Sequence, residues 1–539
     1  MKVIIIASPY PLEECPAPPL GVSYVAAAFE EAGAEVKILD YIVSRYTPEK
    51  LEAELAAFRP DLVGGTSVTL NFPGAASIIK KVKEIDPSIV TVMGGPHVTF
   101  DAENTLRDFP EIDLLVLGEG EKTIRDLTPF IKDRKAWSHL NGIAFLEGDK
   151  VIKRPSNELI QDLDSLPLPA RHLLPVSRYQ ALGFPVSIIT SRGCPYQCIF
   201  CQGRRMVGSK VRNRSPEKVV DEIEEILSYG FSRINIADDL FVSNKPRAQK
   251  VCEEILRRGL VFTWSAFSRV DTVDRDTFKL MRKAGCDTVG FGIETGVPEM
   301  LKRIRKGITR DQARHAVALC KEVGLGVHGS FMAGLPGESL ATLRETKEFA
   351  MGLDIPWGFH LLAPFPGTTV REEIERYDLE ILTSDWSLYD ANRAVTRTSH
   401  ISPEEVERFV ADLDEESRLI WEEMIEAYKN GTATPDEALR VSGHYRMNLT
   451  YRLLAEDLLE DHCTFPVKEL NNGARSAEAL LFEKVTRVTD LDSDLVTHTM
   501  KDFIDKGYIK ARQTDGTINW YWTHNRKEDY GPFSRIAAG

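Results

Sequence analysis

At 539 residues, 43% hydrophobic and 27% charged, the chain has a globular composition and too much length for one core, so about two to four domains are expected. A formal charge of −14 argues against a broad nucleic-acid surface, because phosphate contacts need clustered Lys and Arg. No apolar run approaches the roughly 20 residues that cross a bilayer, and the eight cysteines suit a reducing cytoplasm and a metal site better than a disulfide framework.

The opening MKVIIIAS reads as a first β-strand, since no small-residue cleavage site follows it. A helical period covers about Val22 to Glu31, EVKILD is strand-like, and Pro48–Phe58 is an amphipathic helix. DLVGGTSVT, IVTVMGG and DLLVLGEGE repeat the strand pattern, with a helix at Ala75–Glu84. This alternation predicts a doubly wound, Rossmann-like α/β domain over residues 1–145, with its ligand at the carboxyl ends of the strands. A proline-rich connector follows over 146–182.

Alternation resumes over 183–380. Six strands (VSIITSR, RINIADD, FTWSAFS, TVGFGIE, VHGSFMAG and WGFHLLAPF) enclose five helices, which predicts a partial (β/α)6 TIM barrel. Acidic helices, notably Ser402–Lys429, then fill a helical extension over 381–475. The tail over 476–539 reads helix, helix and two short strands about Asp515–Gly516, a winged-helix outline.

The chemistry centres on Cys194-Pro-Tyr-Gln-Cys198-Ile-Phe-Cys201, directly after the first barrel strand. Three thiolates on one loop hold three irons of a cubane and leave a fourth iron open. A zinc knuckle is the competing reading, but no second ligand pair accompanies the first. The C-x3-C-x2-C spacing after strand one of a six-unit barrel resembles the radical S-adenosylmethionine (SAM) superfamily. That resemblance implies a 4Fe–4S cluster on Cys194, Cys198 and Cys201, with SAM chelating the open iron and cleaved reductively to a 5′-deoxyadenosyl radical. It also implies SAM contacts from Phe200, from Asp238 and Asp239 at the second strand end, from Ser268 and Arg269 at the third, and from Glu294 at the fourth. The stretch Phe331 to Leu335 is expected to pack the adenine.

Pro18-Pro-Leu-Gly21, Gly94-Gly-Pro-His97, Gly118-Glu-Gly-Glu121, the LPLPARHLLP connector and Pro364-Phe-Pro-Gly-Thr368 extend the likeness over roughly Met1–Tyr389. They resemble the cobalamin-binding (class B) radical SAM enzymes, and the overall layout resembles the anaerobic magnesium-protoporphyrin IX monomethyl ester cyclase subgroup. Cobalamin is then expected on Ser67, Thr69, Gly94, Gly95, His97, Gly118, Glu119 and Gly120. The loop after the first strand, SPYPLEECPAPPLG, departs from the D-x-H-x-x-G pattern, so cobalt should lack a histidine ligand; Cys15 in that loop reads as a bystander.

Two reactions fit this likeness: methylation of an unactivated centre through methylcobalamin, which we favour, and cyclase-like oxidation without methyl transfer. A cobalamin- and cluster-based regulator with a DNA-binding tail is the alternative of another class, opposed by Asp490, Asp492, Asp494, Asp502 and Asp505. The expected partners are a small-molecule, lipid, tetrapyrrole or peptide substrate and an electron donor such as flavodoxin or ferredoxin, with no nucleic acid and no membrane span. Cys252, Cys286 and Cys320 read as core residues, and Trp386, Tyr389 and Trp421 as packing or pocket residues.

Overall fold

The computed structural model describes residues 1–473 and 475–523; the expected tail beyond Thr523 lies outside them. Strand β1 (Lys2–Ala7) is buried along nearly its whole length, as an apolar run covered on both faces must be. It pairs in parallel with β2 (Glu35–Asp40) and β3 (Leu62–Thr66), followed by β4 (Val90–Gly94) and β5 (Leu114–Val116). The order β2-β1-β3-β4-β5 reverses direction between β1 and β3, so the ligand crevice is expected beyond the carboxyl ends at that point. Helices Leu20–Glu31 and Phe72–Ile85 belong to two separate apolar clusters of this domain. Thr47 caps helix Pro48–Phe58, with proline in its first turn.

The sheet runs past residue 145. Strands β6 (Ile143–Glu147) and β7 (Lys150–Lys153) add an antiparallel hairpin at its edge, turning on Gly148-Asp149 with Gly148 at φ +60. The Gly-Asp pair between two short apolar runs was the available signal for that hairpin.

The second sheet has the order β15-β14-β13-β12-β11-β8, all parallel: β8 (Val186–Ile188), β11 (Arg233–Ile236), β12 (Thr263–Ser268), β13 (Cys286–Glu294), β14 (Gly326–Ala333) and β15 (Trp357–Leu361). It is an open barrel, as expected, with β8 and β15 as its edges. A small antiparallel ribbon, β9 (Ser191–Arg192) with β10 (Arg212–Asn213), brackets the cysteine loop. The register slips between Gly292 and Glu294, a bulge that re-aims the Glu294 side chain.

Beyond the barrel, β16 (Glu380–Ile381) pairs with β17 (Thr396–Arg397), and helices Pro403–Lys429 and Pro435–Ala455 start on capping boxes at Ser402/Glu405 and Thr434/Glu437. The last unit places helices Ala477–Thr489 and Ser493–Asp505 beside a sheet of β18 (Thr464–Pro466), β20 (Thr517–Trp522) and β19 (Ile509–Thr514). Its described part docks on the connector, where the Ser177 hydroxyl donates to the Thr523 carbonyl and Arg178 pairs with Asp457 and Glu460. No helix among the described residues is long and apolar enough to cross a membrane.

Candidate active site

The cysteine loop is held from three sides. Gly193, at φ +109, turns the chain out of β9 and into Cys194. The Cys194 amide donates to the Gly208 carbonyl (3.0 Å), and the Ile199 amide donates to the Ile304 carbonyl (3.2 Å). The Gly203 amide donates to the Cys201 sulfur (3.3 Å). All three thiols line one cavity of about 250 Å³. No trio of His, Cys, Asp or Glu among the described residues surrounds a single ion. A cubane asks for something else, one thiolate on each of three irons, and three thiols spread around one cavity meet that demand. Burial raises all three thiol pKa values, that of Cys201 to about 11, while Lys306 and Arg269 pull Cys198 back down. Cationic metal would therefore bind with release of the thiol protons.

The strand ends around the loop place their polar residues in different ways. Asp239 opens onto a cavity and stands beside Cys201: a Cβ built on Gly203 would lie 3.4 Å from both Asp239 carboxylate oxygens and from the Cys201 sulfur. Asp238, its neighbour, is placed differently. It is turned inward, 2% exposed, and accepts from the Thr190 amide (2.5 Å) and hydroxyl (2.5 Å) and the Ser191 amide (3.0 Å) and hydroxyl (2.7 Å). Both its oxygens serve the turn that leads into the cysteine loop, whose amides and hydroxyls at Thr190 and Ser191 hold the carboxylate inward.

Glu294, held at φ +69 by the bulge, pairs with Lys306 (2.7 Å), whose ammonium lies 5.9 Å from the Phe200 ring. Arg269 pairs with Asp271 (2.9 Å), donates to the Lys306 carbonyl (2.8 Å) and stacks 3.5 Å over the Tyr196 ring, so it braces the loop from behind. Ser268 shares a hydrogen bond with Thr272 (3.0 Å). Phe331 is fully buried in the core against Phe359, and the half-buried alternates His328, Ser330 and Met332 occupy the other face of β14. Leu335 is also fully buried, in a small cluster with Ile199 and Ile304 at the base of the cysteine loop.

In the amino-terminal domain a cavity of about 420 Å³ opens between the sheet and helix Leu20–Glu31. Ile5, Leu62, Val92 and Val116 line it from the sheet, and Val22, Val25 and Phe29 from the helix. Its mouth passes Gly94, Gly95, Gly118, Glu119 and Gly120 and reaches Asp239 and Gly203 of the barrel. Gly118, at φ +70 with open space where a side chain would stand, and Gly95, at φ +103 with an added Cβ 2.5 Å from the Ser67 carbonyl, are the turns that need glycine. An apolar slot with a glycine-lined mouth fits a flat heterocycle entering tail first.

Ser67, Thr69 and His97 do not line this slot. They are buried beside it, with Thr69 and His97 linked side chain to side chain (3.3 Å) and the Ser67 hydroxyl without a partner among the described residues. His97 stacks on Phe72 (4.0 Å) and meets the edge of Trp386 (5.1 Å), and burial holds its pKa down at about 4. In this packing His97 and Thr69 bond and stack on protein neighbours.

Two family models match the chain: B12 binding domain over residues 14–128 and Radical SAM superfamily over 188–350. An uncharacterized methyltransferase of Pyrococcus horikoshii is 37% identical over 396 residues, covering 73% of this chain and 86% of that protein. The chain belongs to the B12-binding radical SAM family. The anaerobic magnesium-protoporphyrin IX monomethyl ester cyclase of Rubrivivax gelatinosus is 30% identical over 382 residues, covering 67% of this chain and 68% of that one. The solved structure of the cobalamin-dependent SAM radical enzyme OxsB, with aqua-cobalamin and SAM bound, matches with a TM-score of 0.68 at 19% identity. It covers 94% of this chain and 84% of its own, so the shared fold includes the carboxyl-terminal units.

Several site features of this B12-binding radical SAM enzyme escaped sequence reasoning. Gly64 and Gly65 of β3, with Thr66, line the slot; a double glycine inside a strand is the signal for close approach of another group. Arg192 pairs with Glu121 (2.5 Å) and stacks 5.5 Å over Tyr24, while Arg212 pairs with Glu119 (2.7 Å). These buried pairs tie the Gly118-Glu-Gly-Glu121 turn to the ribbon that frames Cys194. Glu119 therefore spends its carboxylate on the barrel.

Proposed function

We propose that this enzyme is a cobalamin-dependent methyltransferase that opens its reaction by reductive cleavage of SAM, with Cys194, Cys198 and Cys201 holding a 4Fe–4S cluster. The cluster and cobalamin, when bound, supply an electron for the sulfonium and a transferable methyl group. The observation that carries the reading is the position of Asp239, which borders both the glycine-mouthed slot and Cys201. The two cofactor places thus adjoin at one carboxylate, which puts both within reach of one substrate.

In this reading Asp239 accepts from the methionine amino group, and Glu294, with its position set by Lys306, orients the nucleoside end. Arg269 and Asp238 act on the loop and not on the ligand. The slot holds the cobalamin tail by apolar contact, with Gly64, Gly94 and Gly118 leaving room for it. No histidine reaches the slot from the loop after β1, so cobalt keeps no protein imidazole. We place the reaction in a reducing cytoplasm with a flavodoxin- or ferredoxin-type donor and a small-molecule substrate. The carboxyl-terminal unit serves packing in this reading, not nucleic acid.

The test is an anaerobic assay on protein reconstituted with iron, sulfide and hydroxocobalamin, given reductant and SAM and read by mass spectrometry. Formation of both 5′-deoxyadenosine and S-adenosylhomocysteine is expected. 5′-Deoxyadenosine alone, with cobalamin bound, would replace methyl transfer by cyclase-like oxidation. Neither product would end the radical reading.

A further inference from the structure

Resting on the radical reading above, we propose that the mouth of the cysteine cavity is the docking surface for an acidic one-electron carrier protein, with Arg204, Arg205 and Arg305 as its contact charges. The chain is acidic overall, yet it has no Asp or Glu between Asp164 and Glu217, and none between Glu299 and Asp311. The fold brings these two acid-free stretches together: the Ile199 amide donates to the Ile304 carbonyl, which seats Lys302–Lys306 against the cysteine loop. Arg204, Arg205 and Arg305 then line the same cavity as Cys194, Cys198 and Cys201.

The pairing pattern separates this rim from the rest of the site. The cations on the inner side of the loop are neutralised, Lys306 by Glu294, Arg269 by Asp271, Arg192 by Glu121 and Arg212 by Glu119. No carboxylate of the described residues lies within ion-pair distance of Arg204, Arg205 or Arg305. Arg204 donates to the Pro195 carbonyl (2.9 Å) and Arg205 to the Thr369 hydroxyl (3.4 Å). Glu373, the one acid in the lining, pairs with Arg376 (2.9 Å). Arg205 and Arg305 are exposed, and Arg204 is half-buried.

Geometry also sets the direction of electron entry. Asp239, Glu294 and Lys306 lie near the cysteines but do not line this cavity, so the SAM side and the arginine side are distinct. An electron for the cluster has to arrive from outside, and the arginine rim is where the cysteine cavity meets solvent. Unpaired charges spread over exposed segments steer the encounter of a macromolecule of opposite sign; a small anion would ask for convergent, buried donors. Carrier complexes are small and weak, which three rim arginines can supply. In the transfer itself the carrier loses one electron and the cluster gains one, with no bond or proton exchanged at the surface.

The test uses the full chain carrying its cluster, with Arg205→Glu/Arg305→Glu and the neutral Arg205→Gln/Arg305→Gln as a second variant. Iron content and visible absorption confirm that the cluster is in place. Cluster bleaching is followed by stopped flow with flavodoxin hydroquinone and, separately, with titanium(III) citrate. The reversal variant should slow reduction by flavodoxin about tenfold or more at low salt and lose the salt dependence of the wild type, with the neutral variant between them, while titanium(III) citrate stays within about twofold. An unchanged flavodoxin rate would overturn the proposal, and so would equal slowing with both reductants, which would make the arginines part of the cluster's own environment. Absence of 5′-deoxyadenosine from the wild type with titanium(III) citrate would instead sink the radical reading beneath it.

Discussion

Replacing Asp238 by alanine separates a structural role from a ligand role. In the native turn its carboxylate takes four hydrogen bonds, from the amides and hydroxyls of Thr190 and Ser191. The hydroxyls can rotate to other acceptors; the two amides are fixed by the backbone. An amide left unsatisfied in the interior costs roughly 1–3 kcal/mol, so Asp238→Ala should destabilise the barrel by about 2–6 kcal/mol. Asp238→Asn keeps one acceptor oxygen for the amides and should cost about 1–3 kcal/mol. Collapse of the turn cannot compensate easily, since Arg247 donates to the Thr190 carbonyl (2.7 Å) and Arg214 to the Ile189 carbonyl (3.0 Å). The assay is a thermal melt together with iron per chain after reconstitution and SAM affinity by calorimetry. Alanine should lower the melt and the iron content together, with SAM affinity falling only as far as the cluster is lost. A variant with wild-type melt and iron but no SAM affinity would refute this account and return Asp238 to the cofactor.

The remaining predictions use other parts of the site. Cys198→Ala should abolish the brown cluster absorption and all SAM cleavage; survival of either would remove this thiol from the ligand set. Gly64→Leu should fold, since a Cβ there meets nothing closer than 3.7 Å, yet its side chain projects toward the slot and should lower cobalamin affinity at least about tenfold by filling it; a melt lower than wild type with cobalamin retained would contradict the slot assignment. Burial raises the Glu338 carboxyl to about 8, with one oxygen accepting from the Gly334 and Leu335 amides and the other without a partner among the described residues. The folded state therefore keeps a proton that the unfolded chain releases near 4.5, and this contribution, complete below 4.5, is lost as pH rises through about 8. Melts from pH 5 to 8.5 should fall more steeply for the wild type than for Glu338→Gln, and parallel curves would disprove the assignment.

The amino-acid sequence by itself determined the strand–helix alternation of both α/β domains and the cysteine triad. These are local facts: a run such as KVIIIA has one stable place, inside a parallel sheet, and three thiols within eight positions share a loop whatever surrounds them. The hairpin at Gly148-Asp149 and the double glycine of β3 carry equally local signals, but the sequence reading missed both. What tertiary structure alone decided was which neighbour does what. Asp238 and Asp239 are indistinguishable as letters, but one faces Thr190 and the other faces the slot, because the Thr190–Ser191 turn packed against the end of β11 claims the first carboxylate. Phe331 and Met332 divide between buried core and the half-buried face of β14, because successive residues of a strand point to opposite faces. Glu121 and Arg192 are 71 residues apart, and Ile199 and Ile304 lie on different barrel units. Their contacts exist only after the two domains close and the barrel curls, since burial and desolvation are properties of the packed chain and carry no signature in the order of its residues.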